Sequence, residues 1–555
     1  MSKSKKSRFI PIYVALGIVF GILIGNFYAN QYSGKSLSII NASGNKLNDL
    51  LHIIDDQYVD TVDMVDLVEN ALPQILRELD PHSVYISQEA VEASMQDLKG
   101  SFSGVGIQFY TYRDTVCVVQ VIPGGPSESA GLQAGDRIVR IDDEEYVGDS
   151  VVVDTETKKK LKGETGSTVK LGIVRPGEEK ELTFSIIRGS VPIKTVDAAY
   201  MLNDSTGYIR IASFGETTYP EFLAALAKLN RYDFQNMVLD LRGNLGGYMV
   251  PAVQVANEFL PKNRLIVYTE GRKSSREEYS SDGRGAYQTM PLVVLVDETS
   301  ASASEILSGA MQDNDRAMII GRRTFGKGLV QVPIEFNDGS MLRLTKARYY
   351  TPSGRCVQKP YRSGADAEYE LDLLKRLEHG EFYSKDSIHS SGKMYTTRIG
   401  RPVYGGGGII PDIFIPRDTL GMTSYFKDAY LGGHFGRFAF DFVDSHRSDM
   451  KEFKKLEEVE KYLKKFNLVE MFVRYAQKQG IKRRNILIKK SRKLLESYIK
   501  SAIIGDILDL ESTVEFINKD DPYVENALKL FHDGASFPKI DKDTADVKLK
   551  DKMNP

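Results

Sequence analysis

The chain has 555 residues, 42% of them hydrophobic and 27% charged, with a formal net charge of −2. That length calls for two to four compact units of globular composition, and the balanced charge leaves no electrostatic footprint for nucleic acid or an acidic polymer. Two cysteines, Cys117 and Cys356, permit one disulfide at most and stand in strand-like surroundings rather than metal-ligand clusters, and neither is given a function.

Lys3, Lys5, Lys6 and Arg8 precede an apolar run over residues 9–25, which Asn26-Phe-Tyr-Ala29 extends with an aromatic anchor. A membrane-spanning helix wants about 20 apolar residues, and its basic flank stays cytoplasmic. Residues 1–30 therefore predict a single-pass inner-membrane anchor with the remainder exported to the periplasm. A cleaved signal peptide is the competing reading, disfavoured because residues 26–33 lack a good small-x-small cleavage pattern.

Residues 31–98 form an N-terminal helical region. Leu47, Leu50, Leu51 and Ile54, then Val65, Leu67, Val68, Leu72, Ile75 and Leu76, recur at helical spacing and fit two helices. Pro81 stops the second within Leu79-Asp-Pro-His-Ser83, where Asp80 and His82 read as a structural turn or as catalytic groups.

Residues 99–190 change character. Short β-branched runs at 117–122, 137–141, 169–174 and 181–187, punctuated by glycine and proline, predict a small β-rich domain. Residues 123–138, Pro-Gly-Gly-Pro-Ser-Glu-Ser-Ala-Gly-Leu-Gln-Ala-Gly-Asp-Arg-Ile, place a short helix and a tight turn between two strands, and this stretch resembles the PDZ family. The resemblance implies that the loop Gly104-Val105-Gly106-Ile107 binds the terminal carboxylate of a polypeptide through backbone N–H groups, while the peptide pairs with a sheet edge. Glycine lets successive amides converge on an anion without a Cβ in the way. A glycine-rich hairpin without a ligand is the alternative.

From about 191 to 350, strands at 206–211, 237–241, 292–296 and 317–320 alternate with helices near 219–229 and 251–259 and one starting at Ser302, which predicts a mixed α/β sheet. This core extends to 420, and residues 421–555 are helical and lysine-rich, as in 482–500, a face read as solvated. The expected fold class is α/β (α+β mixed) and multidomain: a mixed-sheet core carrying an inserted β-rich domain, with helical N- and C-terminal regions.

Three segments fall at the C-terminal ends of predicted strands, where open α/β sheets place their sites. They are Asp240-Leu-Arg-Gly-Asn-Leu-Gly-Gly247, Asp297-Glu-Thr-Ser-Ala-Ser-Ala-Ser-Glu305 and Gly321-Arg-Arg-Thr-Phe-Gly-Lys-Gly-Leu-Val-Gln331. Alone, the third mimics a nucleotide-binding P-loop. A P-loop needs Ser or Thr after its lysine and then a helix, whereas Gly328 follows here and the next residues alternate like a strand. The second segment opens a helix, so Ser302 is either a nucleophile at a positive helix end or one of three capping serines. None of the seven histidines lies in these segments, and Lys327, flanked by Phe325, Gly326, Gly328 and Leu329, is the available base. A lysine near its solution pKa of about 10.4 is useless at neutral pH, but burial lowers that value and gives a Ser–Lys variant of the catalytic triad.

Together the second and third segments resemble the carboxyl-terminal processing peptidases, or tail-specific proteases, whose pattern is Ser-Ala-Ser-Ala-Ser-Glu followed by Thr-Phe-Gly-Lys-Gly-x-Val-Gln. The resemblance extends to Leu79-Asp-Pro-His-Ser83, the PDZ-like stretch, Tyr350-Thr-Pro-Ser-Gly-Arg355 and Gly408-Ile-Ile-Pro-Asp-Ile413. It implies a serine endopeptidase acting on protein or peptide substrates with free C-termini through an acyl-enzyme, with no metal or cofactor, and with Ser302 as nucleophile, Lys327 as base and Gln331 orienting the lysine. Ala303 N–H is one oxyanion donor, and Gly246, with Gly247 as close alternative, is the other. A PDZ binding scaffold without catalysis is the rival reading. The chain departs from the pattern in an insertion rich in charge and tyrosine at about 361–399 and in the helical tail, where homo-oligomer formation and adaptor binding are equally open.

Overall fold

The computed structural model describes residues 35–535 apart from 113, 149–151 and 389–391. The expected membrane anchor lies outside these residues, and among the described residues no helix is long and apolar enough to cross a membrane.

Residues up to Glu78 form one compact unit and those from Leu79 onward another. The first contains helices Lys35–Gln57 and Met64–Arg77, the two that the apolar spacing predicts. Asp63 starts the second by accepting the Val65 N–H at 2.9 Å and the Asp66 N–H at 3.1 Å, two of the donors that a helix start leaves unpaired.

The second unit opens with β1 (Val84–Ile86) and helix Gln88–Lys99. A two-stranded ribbon, β2 (Ser101–Gly104) and β9 (Gly189–Pro192), then leads into and out of the β-rich domain. There β3 (Ile107–Tyr112), β4 (Thr115–Val121), β5 (Arg137–Ile141), β7 (Thr168–Val174) and β8 (Leu182–Ile187) lie in that order, with β6 (Glu144–Glu145) paired to β5. Helices Pro126–Ala130 and Asp154–Leu161 complete it. Strand β3 is an edge, so one row of its backbone groups is free to receive another strand.

The central sheet runs β10 (Val196–Met201), β11 (Thr206–Ile211), β12 (Asn236–Asp240), β15 (Leu292–Val296), β16 (Met318–Gly321) and β21 (Ile413–Phe414). It is parallel from β11 onward. Every residue of β15, Leu-Val-Val-Leu-Val, is buried, as a strand covered on both faces requires. Helices Thr218–Leu229, Met249–Asn257 and Ala303–Asp313 contribute Phe222, Val255 and Leu307 to the core on one face. On the other, Val514, Tyr523 and Val524 of the C-terminal helices pack with Tyr208, Val238 and Val293.

A second, antiparallel sheet joins β1, β13 (Leu265–Gly271), β14 (Ser274–Ser280), β17 (Leu329–Glu335) and β18 (Met341–Tyr350). The insertion folds as helices Asp366–Glu370 and Asp372–Glu378 and the hairpin of β19 (Met394–Thr396) and β20 (Pro402–Tyr404). The C-terminal region is a helical bundle with its own core, including Phe435, Phe438, Phe442 and Phe472. Its long helix Asn485–Ile507 buries Leu495, Ile499 and Ile503 and leaves Lys489, Lys490 and Lys493 exposed, the solvated face the sequence predicts.

Candidate active site

Segment 297–305 leaves β15 and turns into helix Ala303–Asp313 at Ser302, whose φ of +54° and ψ of −112° lie where side-chain-bearing residues rarely sit. The three serines divide by their partners. Ser300 Oγ donates to the Leu241 carbonyl at 2.8 Å and Ser304 Oγ to the Asn244 carbonyl at 3.0 Å, so both fasten the segment to the glycine turn. Ser302 carries the strained backbone between them. Its neighbour Ala303 presents a backbone N–H that enters no hydrogen bond among the described residues.

The glycine turn is organised from below. Buried Asp240 accepts Arg242 Nε at 2.9 and 3.0 Å and the Tyr208 hydroxyl at 2.7 Å. Although burial acts to raise it, the Arg242 guanidinium holds the carboxyl below its usual range. Asn244 stitches the turn to the serine segment: its carbonyl accepts the Ala301 N–H at 3.0 Å and its Oδ1 accepts the Gly246 N–H at 2.8 Å. The Gly246 donor is thus already engaged, whereas the Gly247 N–H enters no hydrogen bond among the described residues. Gly246 also approaches Ser302 closely, for a methyl group on it would lie 2.6 Å from Ser302 Cβ and 2.8 Å from the Ala301 carbonyl oxygen.

Lys327 stands between β16 and β17, and the strand after it removes the P-loop alternative, which needs a helix there. The lysine is held by backbone rather than by an acid at its head. Glu305 Oε2 accepts the N–H of Ser302 at 2.9 Å and of Lys327 at 2.8 Å, while Oε1 accepts the Gly326 N–H at 2.7 Å and the Thr324 hydroxyl at 2.5 Å. On the opposite side of the two backbones, the Tyr349 hydroxyl donates to the carbonyls of Lys327 at 2.5 Å and Ser302 at 3.1 Å. All four groups facing Glu305 are donors, an arrangement that suits the carboxylate, yet burial pushes its pKa up to about 7. Burial, and then the Arg343 guanidinium, lower Lys327 from its ordinary value against the charges of Glu305 and Asp80.

Among the described residues no hydrogen bond joins Ser302 Oγ to Lys327 Nζ. Gln331 lies opposite Thr345 in the β17–β18 ladder, and its carboxamide donates to Thr345 Oγ1 at 3.3 Å rather than contacting the lysine. Thr345 Oγ1 in turn donates to Asp80 at 3.0 Å, and Asp80 accepts the N–H groups of His82 and Ser83 at 2.9 and 3.0 Å. Asp80 therefore builds the turn that pins β1 to β18. The His82 ring is hydrogen-bonded to the Tyr369 hydroxyl at 2.9 Å, and burial followed by the Lys327 charge pushes its pKa down to about 4.

The insertion buttresses the lysine loop. Arg376 donates to the carbonyls of Thr324 at 3.1 Å and Arg323 at 2.6 Å, and Lys359 Nζ sits 4.0 Å from the Phe325 ring centre and 4.1 Å from that of Tyr369. Both cysteines are free thiols. Among the described residues no group of three or more His, Cys, Asp or Glu side chains is placed to hold a metal ion.

In the β-rich domain, Gly104-Val105-Gly106-Ile107 links the end of β2 to the start of the edge strand β3. The Val105 carbonyl accepts the Ser127 N–H at 2.9 Å and the Gly106 carbonyl accepts the Ile122 N–H at 3.0 Å, which fixes the loop through its oxygens. Gly106 has a φ of +80°, a conformation that favours glycine.

Sequence reasoning did not single out Glu305, Asn244 or Tyr349 as site residues. The first two stand inside the quoted motifs; Tyr349 has no local signal, since it meets the site only through the pairing of β17 with β18.

Residues 205–369 match the description Peptidase family S41, residues 103–186 match PDZ domain, and residues 425–509 match a family of unknown function, DUF8443. The chain is 33% identical over 319 residues to the carboxy-terminal processing protease CtpB of Bacillus subtilis, covering 57% of this chain and 65% of that protein. It is 36% identical over 318 residues to the carboxy-terminal-processing protease of Bartonella bacilliformis, covering 56% of this chain and 72% of that one. Among solved structures, it is similar to the PDZ domain of a carboxy-terminal protease from Vibrio cholerae in complex with peptide, at 29% identity and a TM-score of 0.15, covering 17% of this chain and 99% of that one. With a PDZ domain set into a mixed α/β core and this extent of shared sequence, the chain belongs to Peptidase family S41, the serine-type peptidases that include the carboxy-terminal processing proteases.

Proposed function

We propose that the protein is a serine endopeptidase that captures polypeptide C-termini in its PDZ domain and cleaves peptide bonds through an acyl-enzyme on Ser302. The observation that carries this reading is the shared Glu305 carboxylate, which sets a strained serine and a buried lysine side by side. Neutral Lys327 takes the Ser302 hydroxyl proton as the oxygen attacks the scissile carbonyl, and then gives that proton to the departing amine. Water attacks the acyl-enzyme with the lysine again as base. The tetrahedral oxyanion is received by Ala303 N–H and a second donor from the glycine turn. Gly247 suits that role better than Gly246, whose N–H is taken by Asn244.

Lys327 and Ser302 close their hydrogen bond on substrate binding, with Gln331 leaving Thr345 to orient the ammonium group. A substrate tail adds to the edge of β3 with its carboxylate at Gly104–Ile107, which selects free C-termini. Tail binding favours the arrangement in which the dyad closes, by no more than its differential affinity for the two states. Residues 1–30 hold the enzyme in the inner membrane with its catalytic part in the periplasm, and fractionation finds it with the membrane under this reading. Recovery of soluble protein with a new N-terminus near residue 30 speaks for a signal peptide instead.

A serine-reactive probe labels Ser302 in the full chain under this proposal, and free-tailed substrates are cleaved faster than amidated ones. Absence of labelling together with intact tail binding would leave a PDZ scaffold as the function.

A further inference from the structure

The C-terminal helices match a family of unknown function, and no residue of theirs enters the chemistry above. Their placement gives them a task. Two routes tie the PDZ body, residues 105–188, to the rest of its unit. One is the β2–β9 ribbon, reinforced where Lys162 Nζ donates to Gln96 at 2.8 Å. The other is the helical region, which touches the PDZ domain at one end and the catalytic segments at the other.

On the PDZ side, β4 turns Val116 and Val118 into its own core and Cys117 and Val119 to the opposite face, as strand alternation requires. Helix His434–Ser445 covers that face: Phe440 packs with Cys117 and Val119, and its ring lies 5.7 Å from that of Tyr112. Arg137 pairs with Asp444 at 2.6 Å, and Gln120 donates to the Leu508 carbonyl at 2.8 Å.

At the far end, the Tyr523 ring lies under the guanidinium groups of Arg242 and Arg322, at 4.5 and 5.6 Å, and Asp521 pairs with Arg242 at 2.6 Å. Arg242 belongs to the glycine turn, and Arg322 to the lysine loop. Arg322 also pairs at 2.6 Å with Glu298 of the serine segment. One helix end thus meets the bases of all three catalytic segments.

We propose that the C-terminal helical region is the second attachment of the PDZ domain, and that it couples the orientation of that domain about the β2–β9 ribbon to the placement of the glycine turn and the lysine loop. The PDZ contact is built to part. Among the described residues Arg447 Nε and Asp506 Oδ2 are buried without a hydrogen-bond partner, Arg447 packing on Gly135 of the PDZ domain with its Nη2 3.5 Å from Asp444, and Asp506 facing Tyr110, whose pKa is raised by burial and then by the Asp506 charge. Unsatisfied groups of this kind penalise the docked state. The coupling rests on a continuous set of contacts, and it needs a measurement in which one end is disturbed and the other is read.

The experiment uses the full chain with Phe440→Asp, Asp444→Arg, Arg137→Asp and the swapped pair Arg137→Asp/Asp444→Arg, and reads hydrogen exchange by segment together with cleavage of a short peptide. The single variants are expected to speed exchange at least tenfold in β2, β4 and β9 and in residues 240–247 and 321–331. They should change peptide turnover at least threefold, and the swap should restore both. Unchanged exchange in the ribbon and β4 overturns the attachment. Faster exchange there with none at 240–247 and 321–331 overturns the coupling. The functional reading above enters only through turnover, so a wild-type chain that cleaves nothing defeats that reading and leaves the exchange data to decide this one. Should Phe440→Asp fail to fold, the ion-pair variants carry the same test.

Discussion

Ser302 and Lys327 donate their backbone N–H groups to one oxygen atom, Glu305 Oε2, at 2.9 and 2.8 Å. The two residues are therefore registered through their main chains before their side chains meet. Glu305 touches no reacting atom in this arrangement; it is a positioning residue. Replacing it with glutamine puts an amide NH₂ where two donors already point, leaving buried groups unpaired at about 1–3 kcal/mol each. Glu305→Gln is expected to lower kcat by about a hundredfold or more while KM for a short peptide changes little. A variant with wild-type kcat would show that the shared carboxylate does not position the pair.

The pH response of stability and that of activity run in opposite directions at this residue. Burial pushes Glu305 from the usual 4.5 up to about 7, so between those values the native state keeps a proton that the unfolded chain has released. Its contribution lowers stability as pH rises through that window, with the full penalty present above about 7. Under the proposed mechanism the reaction uses the carboxylate and a neutral Lys327, so kcat/KM should climb through the same window and beyond it. Thermal unfolding of wild type and Glu305→Gln between pH 4.5 and 7 checks the sign: the variant should lack the descending component, and equal slopes would refute the assignment.

Lys327→Ala and Lys327→Arg should both reduce cleavage by a factor on the order of 10²–10⁴ or to background, since general-base catalysis contributes about that much. Arginine does not deprotonate near neutral pH. The folded state bears the cost of burying this lysine at neutral pH, so Lys327→Ala is expected to unfold at a temperature no lower than wild type and to bind free peptide tails equally well. Turnover near the wild-type rate in either variant removes Lys327 from the mechanism.

Two glycines of one turn give a paired test. A methyl group at Gly246 meets Ser302 Cβ at 2.6 Å and the Ala301 carbonyl at 2.8 Å, whereas one at Gly243 meets nothing within 4 Å, and both residues have positive φ, +102° and +75°. Gly243→Ala carries only the conformational cost of about 1–2 kcal/mol and should keep its kcat. Gly246→Ala adds steric displacement of Ser302 and should lose at least tenfold in kcat. Equal kcat in the two variants would mean that this contact does not hold Ser302 in place.

The sequence made the architecture legible where periodicity is local. The buried run of β15, the alternating β17 and the helix after Ser302 all stand where their patterns place them. The segments that carry Ser302 and Lys327 were legible as serine- and glycine-rich turns at strand ends, and the structure brings them together at Glu305. Glu305 was harder, because a glutamate in the first turn of a helix suits any helix N-terminus, and nothing local says that its carboxylate reaches a loop 22 residues on to bind Lys327. Tyr349 acts through two backbone carbonyls, which leave no residue-type signature, and Arg242 reaches across 279 residues of chain to Asp521 and on to the Tyr523 ring. The docking of Phe440 against β4 was illegible for the same reason: a phenylalanine on an amphipathic helix looks identical whether it faces its own bundle or another domain.

Ser302 and Lys327 stand where the two sheets meet. Ser302 ends the path out of β15 in the parallel sheet, and Lys327 lies on the path from β16 of that sheet into β17 of the antiparallel one, so the loop that carries the lysine is where the two sheets join, and the Phe325 N–H fastens it to the Ser300 carbonyl at 3.0 Å. A slip of one residue along a strand is about 3.3 Å, longer than a hydrogen bond can stretch. A displacement of that size at the junction would part the Glu305 carboxylate from both of its backbone donors, so the pair depends on the seam between the sheets as much as on its own side chains.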